Sequence, residues 1–174
     1  VVCSFGQKTI IELEKDLESS SGITKLNILK TLSEKHLNIN NSQSLTYAQA
    51  SLLLANKLNE TSAIVTSEIN VGNAFMALND HKSSIPHFIN ALDICKKHNN
   101  KQGSAYCKLK LGLAYKGTKN YNKALEIATE CLADYKTLKD DEGQTHQNSL
   151  IGEIHFSQKR YKESIPYLFK AFEI

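Results

Sequence analysis

Three glycines fall at one phase of a forty-residue period: Gly72, Gly112 and Gly152. Each follows an apolar residue (Val71, Leu111, Ile151), and a ring lies three positions on (Phe75, Tyr115, His155). A glycine inside an apolar helical run costs about 1 kcal/mol relative to alanine. Recurrence at a fixed period implies that packing between repeated units offsets that cost. The period continues through Ser84, Ala124 and Ser164, then Phe88, Ala128 and Leu168, then Ala91, Cys131 and Ala171. The only two prolines share the phase, in Ser84-Ile85-Pro86 and Ser164-Ile165-Pro166. Shifting back one period puts Leu32 at the glycine position, Lys35 at the ring and Ser44 at the small position. A divergent terminal unit is expected of a stack of repeats.

Each period holds two helical patterns. Leu109, Leu111, Leu113 and Tyr115 give a broad apolar face, while Ala124, Leu125, Ala128, Cys131, Leu132 and Tyr135 follow i, i+3, i+4 spacing. Short polar breaks such as Gly117-Thr118-Lys119-Asn120 join antiparallel neighbours. The spacing predicts helices over 9–18, 24–38, 42–58, 61–79, 82–98, 101–117, 121–138, 142–158 and 161–174. The expected fold is all-α, a right-handed superhelical solenoid of antiparallel helix pairs. It forms one repeat domain over 8–174, with units near 24–60, 61–100, 101–140 and 141–174. In this reading the glycine admits a neighbouring helix, Ala124 does the same from the other side, and the ring fills the space around that contact.

Leu111-Gly112, Tyr115, Tyr121 and Ala124 resemble the pattern of the tetratricopeptide repeat family. Ile151-Gly152, Tyr161 and Ala171 match it too, with His155 in the aromatic slot, as do Val71-Gly72, Phe75, Phe88 and Ala91. The common repeat of that family is shorter, about 34 residues, and its terminal proline is replaced here by Lys96 and Lys136. The long form is similar to repeats of bacterial signalling proteins. The resemblance implies a non-catalytic module that binds a protein or peptide segment on its first-helix face. The lining positions would be Ile69, Asn70, Asn73 and Met76, then Tyr106, Leu109, Lys110 and Leu113, then His146, Ser149, Glu153 and Phe156. A structural adaptor in an envelope or secretion assembly is the alternative.

Other readings are bounded by composition. A net charge of +3 and scattered lysines do not form the basic face of a nucleic-acid protein. No apolar run approaches the ~20 residues of a membrane span. No P-loop, dinucleotide fingerprint, nucleophile elbow or zinc spacing occurs, so no catalytic residue, metal or cofactor is expected. His155 reads as a packed, hydrogen-bonded ring. Asp140-Asp141-Glu142 reads as helix-start acids, and the Asn pairs at 40–41 and 99–100 as turns. Cys3, Cys95, Cys107 and Cys131 read as small buried residues or free thiols, and a Cys95–Cys107 bridge across one turn stays open. Val1–Gln7 has the look of a signal-peptide end, which predicts an exported, periplasmic chain, and otherwise a cytoplasmic one. Leu168, Phe169 and Phe172 are expected to leave an apolar stripe on the last helix, suited to more protein or to self-association.

Overall fold

The computed structural model describes residues 8–173, so Val1–Gln7, with its signal-like pattern and Cys3, lies outside the described residues. Among the described residues there are nine helices: α1 (Ile10–Ser19), α2 (Gly22–His36), α3 (Asn41–Leu58), α4 (Thr61–Ala77), α5 (His81–Lys97), α6 (Lys101–Gly117), α7 (Tyr121–Leu138), α8 (Asp141–Ser157) and α9 (Tyr161–Glu173). From α3 onward the helices begin every twenty residues. The chain divides into two compact units, Val1–Ile94 and Cys95–Ile174, with the boundary inside α5.

The twenty-residue rhythm has a local cause. Asn59, Asn79, Asn99, Lys119, Lys139 and Lys159 take the left-handed conformation that ends a helix. The next amide then bonds back to the preceding helix, as in Asp80 N–H to Phe75 O, Asn120 N–H to Tyr115 O and Arg160 N–H to His155 O, each at 2.9 Å. That same residue opens the next helix. The side chains of Asp80, Asn100, Asn120 and Asp140 accept from Ser83, Gly103, Lys123 and Gly143 N–H. These caps satisfy amides that a helix start leaves orphaned. Asp140 therefore acts as expected from its cluster, and the Asn pairs supply Asn40 and Asn100 as caps.

The glycines admit side chains rather than a bare helix backbone. A Cβ on Gly72 would lie 2.6 Å from the Phe88 ring, and one on Gly152 would lie 2.6 Å from Leu168. Where the equivalent residue is the small Ala128, Leu150 of the next repeat fills the space, 3.0 Å from a Cβ on Gly112. Ser84, Ala91 and Ala124 are fully buried and Ser164 nearly so, whereas Ala171 is only half-buried. The rings turn toward the second helices: Phe75 stacks on His87 at 5.6 Å and His155 on Tyr167 at 5.8 Å. Tyr115 lies under Lys123 Nζ at 5.3 Å. His155 is packed as expected but not hydrogen-bonded, because its buried Nδ1 has no partner among the described residues. In the divergent first unit, α1 contributes Leu13 to pack on Ile28 and on Leu32, the residue that stands at the glycine position.

Cys95, Cys107 and Cys131 are buried free thiols, so no Cys95–Cys107 bridge forms. Burial pushes the Cys107 and Cys131 thiols up to about 12. Gln147 is fully buried, and neither of its amide atoms has a partner among the described residues. Gln147→Leu removes that unsatisfied pair at similar volume. We expect a gain of about 1 kcal/mol in urea unfolding, and a loss of stability would overturn that reading.

Candidate functional site

The first helices of neighbouring repeats touch within each unit, α2 with α4 and α6 with α8. In the second unit α6 and α8, with the end of α7, enclose a cavity of 480 Å³. Its floor is apolar. Leu109 and Leu113 come from α6 and the nearly buried Leu150 from α8. Tyr135, 5% exposed, closes one end, and burial holds its phenol well above the usual tyrosine range. Gly143 lies against the Tyr135 ring, with no room there for a side chain.

The rim is polar and mixed in charge. Tyr106 stands 38% exposed at the edge, with Lys110 Nζ 5.1 Å from its ring centroid. Glu153 pairs with Lys116, and Asp140 holds Gly143 N–H at 2.8 Å. His146, Glu142 and Ser149 complete the lining. An apolar floor with a few convergent polar groups suits side-chain capture. Among the described residues, no group of three His, Cys, Asp or Glu side chains is placed to hold a metal ion, and no helix is long and apolar enough to cross a membrane.

Seven of the expected lining residues meet in this cavity: Tyr106, Leu109, Lys110, Leu113, His146, Ser149 and Glu153. Phe156 does not line it. It is 59% exposed and packs edge-on against Tyr161 across the turn to α9. In the first unit, Asn70 is buried with its amide donating to Glu34 Oε1 at 3.3 Å, while Asn73 and Met76 are half-buried along α4. Tyr135, Asp140, Glu142, Gly143 and Leu150 join the cavity without having been expected. The first four belong to the end of a second helix, the turn, and the start of α8. An expectation restricted to the middle of first helices passes over them, although Gly143 stands forty residues after Gly103 in the sequence.

Residues 61–137 match the family model described as Tetratricopeptide repeat. The resemblance carried by the glycine and ring positions therefore holds, and the fold is that of tetratricopeptide-like helical repeats. No curated protein matches the chain in sequence. Among solved structures, aspartyl phosphate phosphatase F from Bacillus subtilis is 16% identical, with a TM-score of 0.84 over 94% of this chain and 44% of its own. A signal transduction ATPase with numerous domains from Pyrococcus horikoshii, which carries a tetratricopeptide repeat sensor, is 16% identical, with a TM-score of 0.82 over 93% of this chain and 25% of its own. A Rap protein complexed with Competence and Sporulation Factor is 16% identical, with a TM-score of 0.72 over 94% of this chain and 58% of its own. The chain thus spans less than two thirds of each of these proteins. Such likeness speaks to fold, a repeat fold consistent with a protein-binding module.

Proposed function

We propose that the chain is a non-catalytic module that takes a peptide or protein segment into the α6–α8 cavity, as the sensor or input region of a bacterial signalling protein. One observation carries the binding part: seven residues expected to line the first-helix face converge on one cavity with an apolar floor and a polar rim. Its 480 Å³ suits a few side chains of an extended segment. The likeness to a Rap protein complexed with a factor, and to a chain with a repeat sensor, supports the signalling part. Peptides selected on the chain from a random library should bind Tyr106→Ala and Lys110→Glu at least tenfold more weakly by fluorescence anisotropy. Both sites are accessible enough for the fold to survive. Unchanged affinity in both variants would remove the cavity from the reading. An output module downstream in the intact gene would favour the signalling part, and a purely structural continuation would count against it. An exported location belongs to the same proposal, supported by the signal-like Val1–Gln7 and tested by cell fractionation.

A second reading, a structural adaptor, is favoured by α9. Ile165, Phe169 and Phe172 are 53%, 64% and 90% exposed, while Leu92 and Leu132, at the phase of Phe172, are 9% and 8% exposed. Sedimentation equilibrium of the chain and of Phe172→Glu tests self-association through this face. A monomer in both cases would leave the adaptor without its surface.

A further inference from the structure

In both compact units a polar pair bridges the first helices, and the two pairs sit at different points along them. In the first unit Asn70, in the middle of α4, donates to Glu34 Oε1 of α2 at 3.3 Å, and Asn70 is 8% exposed. Lys110 stands at the same phase of α6, forty residues on, but is held over the Tyr106 ring of its own helix. The bridge between α6 and α8 falls instead to Lys116 and Glu153. Among the described residues, no other ion pair or side-chain hydrogen bond joins these two helices. The middle of the α6–α8 groove is left open over Leu109, Leu113 and Leu150.

The bridge has a defined place in the cavity. Gly143 and Tyr135 close one end, and Glu153 lies ten residues beyond Gly143 on α8, about 15 Å along the helix. Lys116 is the penultimate residue of α6 and is not among the lining side chains. Removing its ammonium group leaves the Glu153 carboxylate uncompensated at the cavity wall. It also leaves α6 and α8 joined there by apolar packing alone. An exposed ion pair adds little to stability, so its role lies elsewhere. Walls that are already fixed lower the ordering cost of binding. We infer that Lys116 is a positioning residue for the segment bound in the α6–α8 cavity. Through Glu153 it holds the two helices at the spacing the segment enters, and it cancels a charge at the wall. The inference rests on the binding reading of that cavity.

The probe is a heptapeptide without charged side chains, acetylated and amidated. It is selected on the whole chain from a random library and required to bind Tyr106→Ala at least tenfold more weakly. By fluorescence anisotropy, Lys116→Met should bind it about threefold more weakly, and Lys116→Arg should bind it like the parent. Lys116→Glu should cost at least fivefold, and the swapped pair Lys116→Glu with Glu153→Lys should return to within about twofold of the parent. Added salt should weaken the parent complex toward the Lys116→Met value and leave the Lys116→Met complex unchanged, although the probe has no charge to screen. Urea midpoints should agree across the variants, which separates positioning from loss of fold. Equal binding by Lys116→Met and the parent overturns the inference and leaves the cavity reading standing, because the probe still depends on Tyr106. A swapped pair as weak as Lys116→Glu, or equal losses in Lys116→Met and Lys116→Arg, overturns it as well. If no selected peptide depends on Tyr106, the cavity reading falls and the inference falls with it.

Discussion

Gly143→Ala is expected to destabilise the Cys95–Ile174 unit by about 2 kcal/mol, the upper part of the overpacking range less the helix-propensity gain of alanine. The reason is local. A Cβ on Gly143 would sit 2.2, 2.4 and 2.5 Å from Cδ1, Cε1 and Cγ of Tyr135. That ring is 5% exposed and belongs to the core cluster of Ala105 and Cys131, so it has little room to retreat. Its own backbone carbonyl accepts Asp140 N–H at 3.0 Å, which ties it to the cap that starts α8. Gly112→Ala is the control. There the nearest atom is Leu150 Cδ2 at 3.0 Å, the free end of a side chain, and Ala128 Cβ lies 4.0 Å away. That variant should match the parent within about 0.5 kcal/mol or exceed it, since helix propensity works in its favour. Urea unfolding of both variants decides the matter. Equal midpoints would mean that the ring, not the glycine, adapts. Because Gly143 and Tyr135 also line the α6–α8 cavity, the first variant should weaken the proposed peptide capture there as well.

The helix pattern was legible because its punctuation is chemical. Helices were expected over 101–117 and 121–138, and α6 and α7 occupy those residues. Asn100, Asn120 and Asp140 mark the starts, and the forty-residue phase of the glycines fixes the rest. Where the repeat signature fades, the reading drifts. The helix expected over 24–38 spans Gly22–His36, because Asn38 turns left-handed. The lining of the candidate cavity was legible along α6 and α8, where one helical stripe holds Leu109, Lys110 and Leu113 and another holds His146, Ser149 and Glu153. Phe156 continues the second stripe in sequence but sits beyond the cavity, captured by Tyr161. Tyr135 was read only as a second-helix core residue, and its ring both fills the core and closes the cavity. Glu68, Lys108 and Asn148, forty residues apart on the first helices, were hidden for a different reason. Their spacing is plain, but an acid, a base and an amide share no hydropathy, and charged side chains are ordinarily exposed. Only in the folded chain do all three turn inward.

Phe88→Ala should produce a larger loss, about 3–5 kcal/mol, in the Val1–Ile94 unit. Phe88 is fully buried and is the largest of the fully buried side chains among the described residues. Its ring lies over Gly72, with Cε1, Cζ and Cδ1 at 2.6, 2.7 and 3.0 Å from where a Cβ would stand. Truncation leaves a void beside a residue that cannot fill it, and His87, one position earlier, is held by Glu68 and Phe75 and cannot swing across. The same geometry makes Gly72→Ala costly by itself, about 1–3 kcal/mol of overpacking. The two changes should then couple. In the double variant Gly72→Ala with Phe88→Leu, the shorter side chain makes room for the new methyl group. Its loss should fall short of the sum of the single losses by about 1 kcal/mol, within the range found for residues in contact. Additive losses would show that the glycine and the ring act separately. The forty-residue glycine would then owe its place to something other than the side chain set against it.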